Sequence, residues 1–177
     1  MRYFIGCAAI LLFALAGCSS TETVQQETQP DEPIEEESLI PTWYDDGIHS
    51  SSDSLEFHGY ALSSAMDSTK ALDLSTQTAL ENLRFEIDRF AEEVRNKLTD
   101  TNGGEGQYSS PEFIIQLRNS VYDLSLESAT ITSKHELSDK GVHYSYARAS
   151  LLRTELPELF QQYLDDEAFL EQIKSDS

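Results

Sequence analysis

Two thiols, four imidazoles and an excess of carboxylates are the side chains through which this sequence could do chemistry. The imidazoles are His49, His58, His135 and His143. None falls in His-x-His, His-x3-His or His-Glu-x2-His, the spacings that put two ligands on one metal. His135 and His143 flank one predicted hairpin and His58 lies on another predicted strand. A three-His surface site is geometrically conceivable, but no spacing requires it, so neither metal nor cofactor is assigned. No serine stands in a Gly-x-Ser-x-Gly elbow. The chain holds 32 Asp and Glu, too many for any one pair to mark a hydrolytic site. Gly103-Gly104-Glu105-Gly106 lacks the Lys of a phosphate loop, and Glu105 would repel an anion. No catalytic residue emerges, and the expectation is a protein that is not an enzyme.

The thiols point elsewhere. Leu15-Ala16-Gly17-Cys18 resembles a bacterial lipobox, in which the Cys is lipidated. Before it stand Arg2 and the apolar run Phe4 to Ala16, the shape of a secretory signal. That run falls short of the roughly 20 apolar residues a membrane-spanning helix needs. A signal cleaved elsewhere and a short anchor are the competing readings. The lipobox implies removal of residues 1–17 and acylation of Cys18. One acyl chain binds a membrane reversibly, whereas two or three hold it for good. Ser19 stands where Asp would retain such a protein at the inner membrane, so the resemblance implies the outer membrane, facing the periplasm. Cys7 leaves with the signal and Cys18 is spent on lipid, so no thiol remains for a disulfide or a nucleophile.

Twelve Lys and Arg against 32 Asp and Glu give a formal charge of −20. Such a surface disfavours nucleic acid and anionic lipid as partners. Residues 18–38 form a tether: they hold no Lys or Arg, seven acids, Pro30 and Pro33. Too little apolar surface is available there to offset chain entropy. About 20 such residues would span roughly 25 Å. A single domain is expected over residues 39–177, long enough for a core.

Leu39 to Tyr44 is its first apolar stretch, with Trp43 expected to plug the core's edge and Asp45 to Ser54 a polar loop. Leu55 to Leu62 reads as a strand whose Gly59 implies a bulge or a close approach by another element. Leu72, Thr76, Ala79, Leu83, Ile87, Phe90, Val94 and Leu98 form one apolar stripe on a helix of about 68–98, capped by Asp67 or Ser68. The stripe suits a sheet, with a coiled-coil seam as the alternative. Arg95 and Lys97 are placed at the helix's negative end, and Arg84–Asp88 and Glu93–Lys97 as i,i+4 pairs. Ser110-Pro111-Glu112 opens a second helix buried through Phe113, Ile114, Leu117, Val121 and Leu124. Ala129 to Leu137 and Val142 to Leu152 read as strands joined at Ser138-Asp139-Lys140-Gly141. Leu156 to Ile173 marks a C-terminal helix or helix pair from about residue 155, either docked on the domain or free to engage a neighbour. The fold class is therefore α+β, an antiparallel sheet of about three strands against a long amphipathic helix, with a second and a C-terminal helix.

On the last strand Ala147, Ala149 and Leu151 alternate with Tyr144, Tyr146 and Arg148. The small residues suit a face pressed by a helix. The Tyr/Tyr/Arg face is open, covered by the C-terminus, or a binding surface; with Trp43 it supplies the candidate binding residues Trp43, Tyr144, Tyr146 and Arg148.

The order of features adds one more expectation. Lipobox, acidic tether, Pro41-x-Trp43, Phe57-His58-Gly59-Tyr60-Ala61, an Ala/Leu-rich helix and strands ending Tyr146-Ala147-Arg148-Ala149 together resemble the LPP20 family of bacterial outer-membrane lipoproteins, over roughly residues 41–153. Ala61 stands where that family commonly has a second Gly, and the C-terminal helix lies outside the matched core. The resemblance implies a compact α+β domain with a structural or assembly role at the cell envelope, flagellum-associated in some members. Its partners would be the membrane, through Cys18, and a second copy or another envelope protein. A periplasmic ligand- or protein-binding module is the alternative, and it needs a concave pocket beside Trp43, Tyr144 and Tyr146.

Overall fold

The computed structural model describes residues 40–177 apart from Glu105 and Asp139. The signal segment, Cys18 and the tether lie outside the described residues. Chain order is β1 (Ser50–Ser52), β2 (Glu56–Ala65), α1 (Ser68–Thr101), α2 (Pro111–Asp123), β3 (Thr130–Leu137), β4 (His143–Leu152), α3 (Leu156–Gln161) and α4 (Glu167–Asp176). The strands form one antiparallel sheet in the order β1-β2-β4-β3. The fold is α+β, with four strands rather than three. The extra one is β1, inside the stretch expected to be a polar loop. Three serines carry no strand pattern of their own, and their pairing with Gly59, His58 and Phe57 on the edge of β2 is what makes them a strand.

Helix α1 lies across β2 and β4. Asp67 caps it, its carboxylate accepting from the Lys70 N–H at 2.8 Å. The sheet face beneath is built for close approach: Phe57, Gly59 and Ala61 on β2 stand beside Leu151, Ala149 and Ala147 on β4. Gly59 is the tightest point. A Cβ there would come within 2.1 Å of the Ala79 carbonyl oxygen and 2.2 Å of the Leu83 nitrogen. Of the two expectations for this glycine, close approach is the one realised. The stripe departs from its expected course at one end. Toward its N-terminus α1 buries Ala71 and Ser75, while Leu72 is exposed and Thr76 only half-buried. There the Ser75 hydroxyl donates to Ser145 Oγ across the seam at 2.9 Å. From Ala79 through Val94 the expected stripe is buried.

The second half of α1 carries the rest of the core. Tyr108, Phe113, Leu117, Val121 and Leu124 pack beside it, and Leu156, Phe160, Leu164, Phe169 and Ile173 complete the cluster. The C-terminal segment is thus a docked helix pair. Phe113, Phe160 and Phe169 meet edge to face, with centroids 5.7 and 5.9 Å apart, a favoured aromatic geometry. Arg153 ties the layers together: its guanidinium sits 4.6 Å from the Phe57 ring and 4.5 Å from the Phe90 ring and donates to the Asp53 and Asp176 carbonyls.

Several basic side chains take partners other than those their spacing suggested. Arg84 donates to the Val121 and Leu124 carbonyls and so satisfies the C-terminal end of α2, instead of pairing with Asp88. Lys97 binds Asp176, not Glu93. Because α1 runs on to Thr101, Arg95 and Lys97 fall short of its last turn. Between β3 and β4 the Gly141 N–H bonds the Ser138 carbonyl at 2.9 Å with φ at 75°, as the turn chemistry required.

Candidate functional site

The four candidate binding residues share the sheet face away from α1. Tyr144, Tyr146 and Arg148 alternate along β4 and lie opposite Ser64, Leu62 and Tyr60 of β2. The covering element is neither solvent nor the C-terminus but the segment ahead of β1. Tyr44 meets Tyr146 edge to face at 5.0 Å, and the Arg148 guanidinium lies 5.5 Å from the Trp43 ring centroid. Trp43 therefore lies over the outer face of the sheet and does not plug the core between sheet and helix. Tyr146 is only 6 % exposed as a result. Burial, with hydrogen bonding to Asp46 and its negative charge, pushes the Tyr44 phenol up to about 12. Burial and the charges of Glu136 and Asp46 raise Tyr146 as well. Arg148 Nε is buried without a hydrogen-bond partner among the described residues, and its guanidinium faces the Trp43 ring. Surface cavities of up to about 760 Å³ elsewhere among the described residues are lined by other side chains. Trp43, Tyr44, Tyr146 and Arg148 thus contact one another, whereas Tyr144 stays 36 % exposed at the edge of the group.

Beside it is an arrangement that sequence order conceals. His58 Nδ1 lies 2.9 Å from Ser150 Oγ, and His58 Nε2 lies 3.5 Å from Asp53 Oδ2 and 3.9 Å from Glu56. Residues 53, 58 and 150 are joined only because β2 and β4 pair His58 with Ser150; no local spacing announces them. The Asp53 carboxylate accepts from the Leu55 and Glu56 N–H groups, and these bonds, with His58, hold it below the usual carboxylate range. A nucleophilic serine needs such a base, but also donors aimed at a developing oxyanion and room for a substrate. Ser150 stands on a strand paired on both sides, and it and His58 are buried. The geometry fits an internal hydrogen-bond chain that joins the loop before β2 to the sheet's centre.

A second buried polar group lies on the opposite flank. Glu86 is 2 % exposed, pairs with Arg89 and accepts from the Ser50 hydroxyl at 3.0 Å. Burial would raise its pKa, but the bonds from Arg89, Ser52 and Ser50 outweigh burial and leave it lowered. This carboxylate is what fixes the serine strand β1 against α1.

The imidazoles separate. His58 faces away from α1, whereas His135 and His143 sit together on the other side of the hairpin's end. That division rules out the three-His arrangement. Among the described residues no group of three or more His, Cys, Asp and Glu is placed to hold a metal, and no helix is long and apolar enough to cross a membrane. No family model, no curated protein and no solved structure matches this chain.

Proposed function

We propose that this chain is a lipid-anchored lipoprotein of the outer membrane, of LPP20 type, that serves as a non-enzymatic assembly component of an envelope complex. A flagellar basal-body ring is one such setting. Leu15-Ala16-Gly17-Cys18 supports the anchor, and the tether would let the folded domain stand off the bilayer. The observation that carries the assembly role is the exposed aromatic pair on the far side of the helical layer. Phe85 of α1 is 64 % exposed and Tyr122 of α2 is 78 % exposed. They line one cavity with Arg84, Asp88 and Arg118. Aromatic anchors within a charged rim are the usual anatomy of a protein interface.

Metabolic labelling with a fatty-acid analogue tests the anchor: native protein is labelled, and Cys18→Ser is unlabelled and released from the membrane. Whole-cell crosslinking with mass spectrometry, and light scattering on the purified chain, test the role. An oligomer or a recurrent envelope partner that is lost in F85A/Y122A supports it. A strict monomer with no copurifying envelope protein overturns it.

A further inference from the structure

The end of the β3–β4 hairpin carries two imidazoles in direct contact. His135 Nε2 and His143 Nδ1 are 2.8 Å apart, with ring centroids 5.0 Å apart and planes 24° from parallel. His135 lies opposite Ser145, and His143 lies opposite Leu137. The two are therefore diagonal neighbours on one face of a ladder that fixes both backbones. That face is the one turned toward α1, as the Ser75–Ser145 bond shows. His135 is exposed and His143 half-buried, so both ring edges are within reach of solvent.

We propose that His135 and His143 form a two-imidazole binding site for a late divalent transition metal, of the Zn²⁺ and Cu²⁺ class. Two nitrogens this close cannot both point lone pairs at each other, so one ring donates N–H and the other accepts. A metal ion takes the place of that shared proton. The donating ring then carries its proton on its outer nitrogen, and the pair stays neutral. Zn–N bonds of about 2.0–2.1 Å at a tetrahedral angle set the nitrogens about 3.3 Å apart. The rings need only separate by about half an ångström and turn about their side-chain bonds. Water completes the shell, because no third His, Cys, Asp or Glu joins them among the described residues. Imidazole selects Zn²⁺, Cu²⁺ and Ni²⁺ over the oxygen-seeking Ca²⁺ and Mg²⁺. The chain's formal charge of −20 favours a cation over an anion as its ligand.

Calorimetric titration of the full chain in detergent with ZnCl₂ tests the site, in a Cys7→Ser/Cys18→Ser background that removes competing thiols. One equivalent of Zn²⁺ should bind, and neither CaCl₂ nor MgCl₂ should. His135→Ala and His143→Ala should each weaken binding at least tenfold, since chelation needs both rings, and the double variant should be no worse than either. His49→Ala should bind as the parent does. Zn²⁺ should also raise the parent's unfolding temperature and leave that of His135→Ala unmoved. A lack of saturable binding, an affinity indifferent to either substitution, or loss on removal of only one ring would overturn the proposal.

Discussion

Replacing Gly59 by alanine adds one methyl group at the closest point between sheet and helix. The new Cβ would lie 2.1 Å from the Ala79 carbonyl oxygen, 2.2 Å from the Leu83 nitrogen and 2.8 Å from Leu83 Cα, against the 3.4 Å of ordinary contact. All three obstacles are main-chain atoms, so no side chain can rotate aside. Helix α1 must retreat locally by about 1.3 Å, the shortfall between those contacts. A gap of 0.5–1 Å already forfeits a quarter to a half of a dispersion contact, and Phe57, Ala61, Ala147 and Ala149 all face the same seam. Overpacking usually costs about 1–3 kcal/mol. A clash with backbone belongs at or above the top of that range, so about 3 kcal/mol is expected. Domains of this kind have only about 5–15 kcal/mol to lose. Urea and thermal unfolding followed by circular dichroism would read this as a lower midpoint and a fall of roughly 10 °C. Gly47→Ala is the control, because its nearest neighbour is the movable Asp45 carboxylate at 3.3 Å, and it should change stability by less than about 0.5 kcal/mol. If Gly59→Ala matched that control, the reasoning about this seam would be refuted.

Three further outcomes are expected. Glu86→Gln should lose about 1–3 kcal/mol at pH 7, the worth of a charge-assisted bond in a buried place. Its folded pKa is lowered, so the carboxylate's contribution is present above the ordinary glutamate value and lost as pH falls through the folded value; urea midpoints of variant and parent should therefore converge in acid. The Tyr44 phenol should titrate near pH 12 by ultraviolet absorbance, with the last-titrating tyrosine shifting down in Asp46→Asn. Its raised pKa contributes stability below about pH 10 that is lost as pH climbs toward 12. Phe169→Ala should cost about 3–5 kcal/mol, because that ring is fully buried against Phe113 and Phe160; a loss under about 1 kcal/mol would show that the C-terminal helix pair is no part of the core.

The sequence alone determined whatever depends on neighbours in the chain. Asp67 and Ser110 as caps, Gly141 in its turn, the alternation of Ala147, Ala149 and Leu151, and the 3.6-residue stripe from Ala79 to Val94 were legible because backbone geometry places such residues on one face or at one end. Tertiary structure decided whatever depends on which elements meet. The serine strand β1 exists through pairing with β2. Leu72 gave way to Ala71 and Ser75 because the row that faces the sheet continues from Leu83 and Ala79 in steps of four, as the Ser75–Ser145 bond shows. Arg84 and Lys97 left their helical partners for carbonyls and a carboxylate on other elements. Trp43 covers the outer face through the path of its segment. The Asp53–His58–Ser150 chain and the His135–His143 pair bring together groups that share no local period, through strand register in both cases. Periodicity tells which way a side chain faces, but only the packed chain tells what it faces.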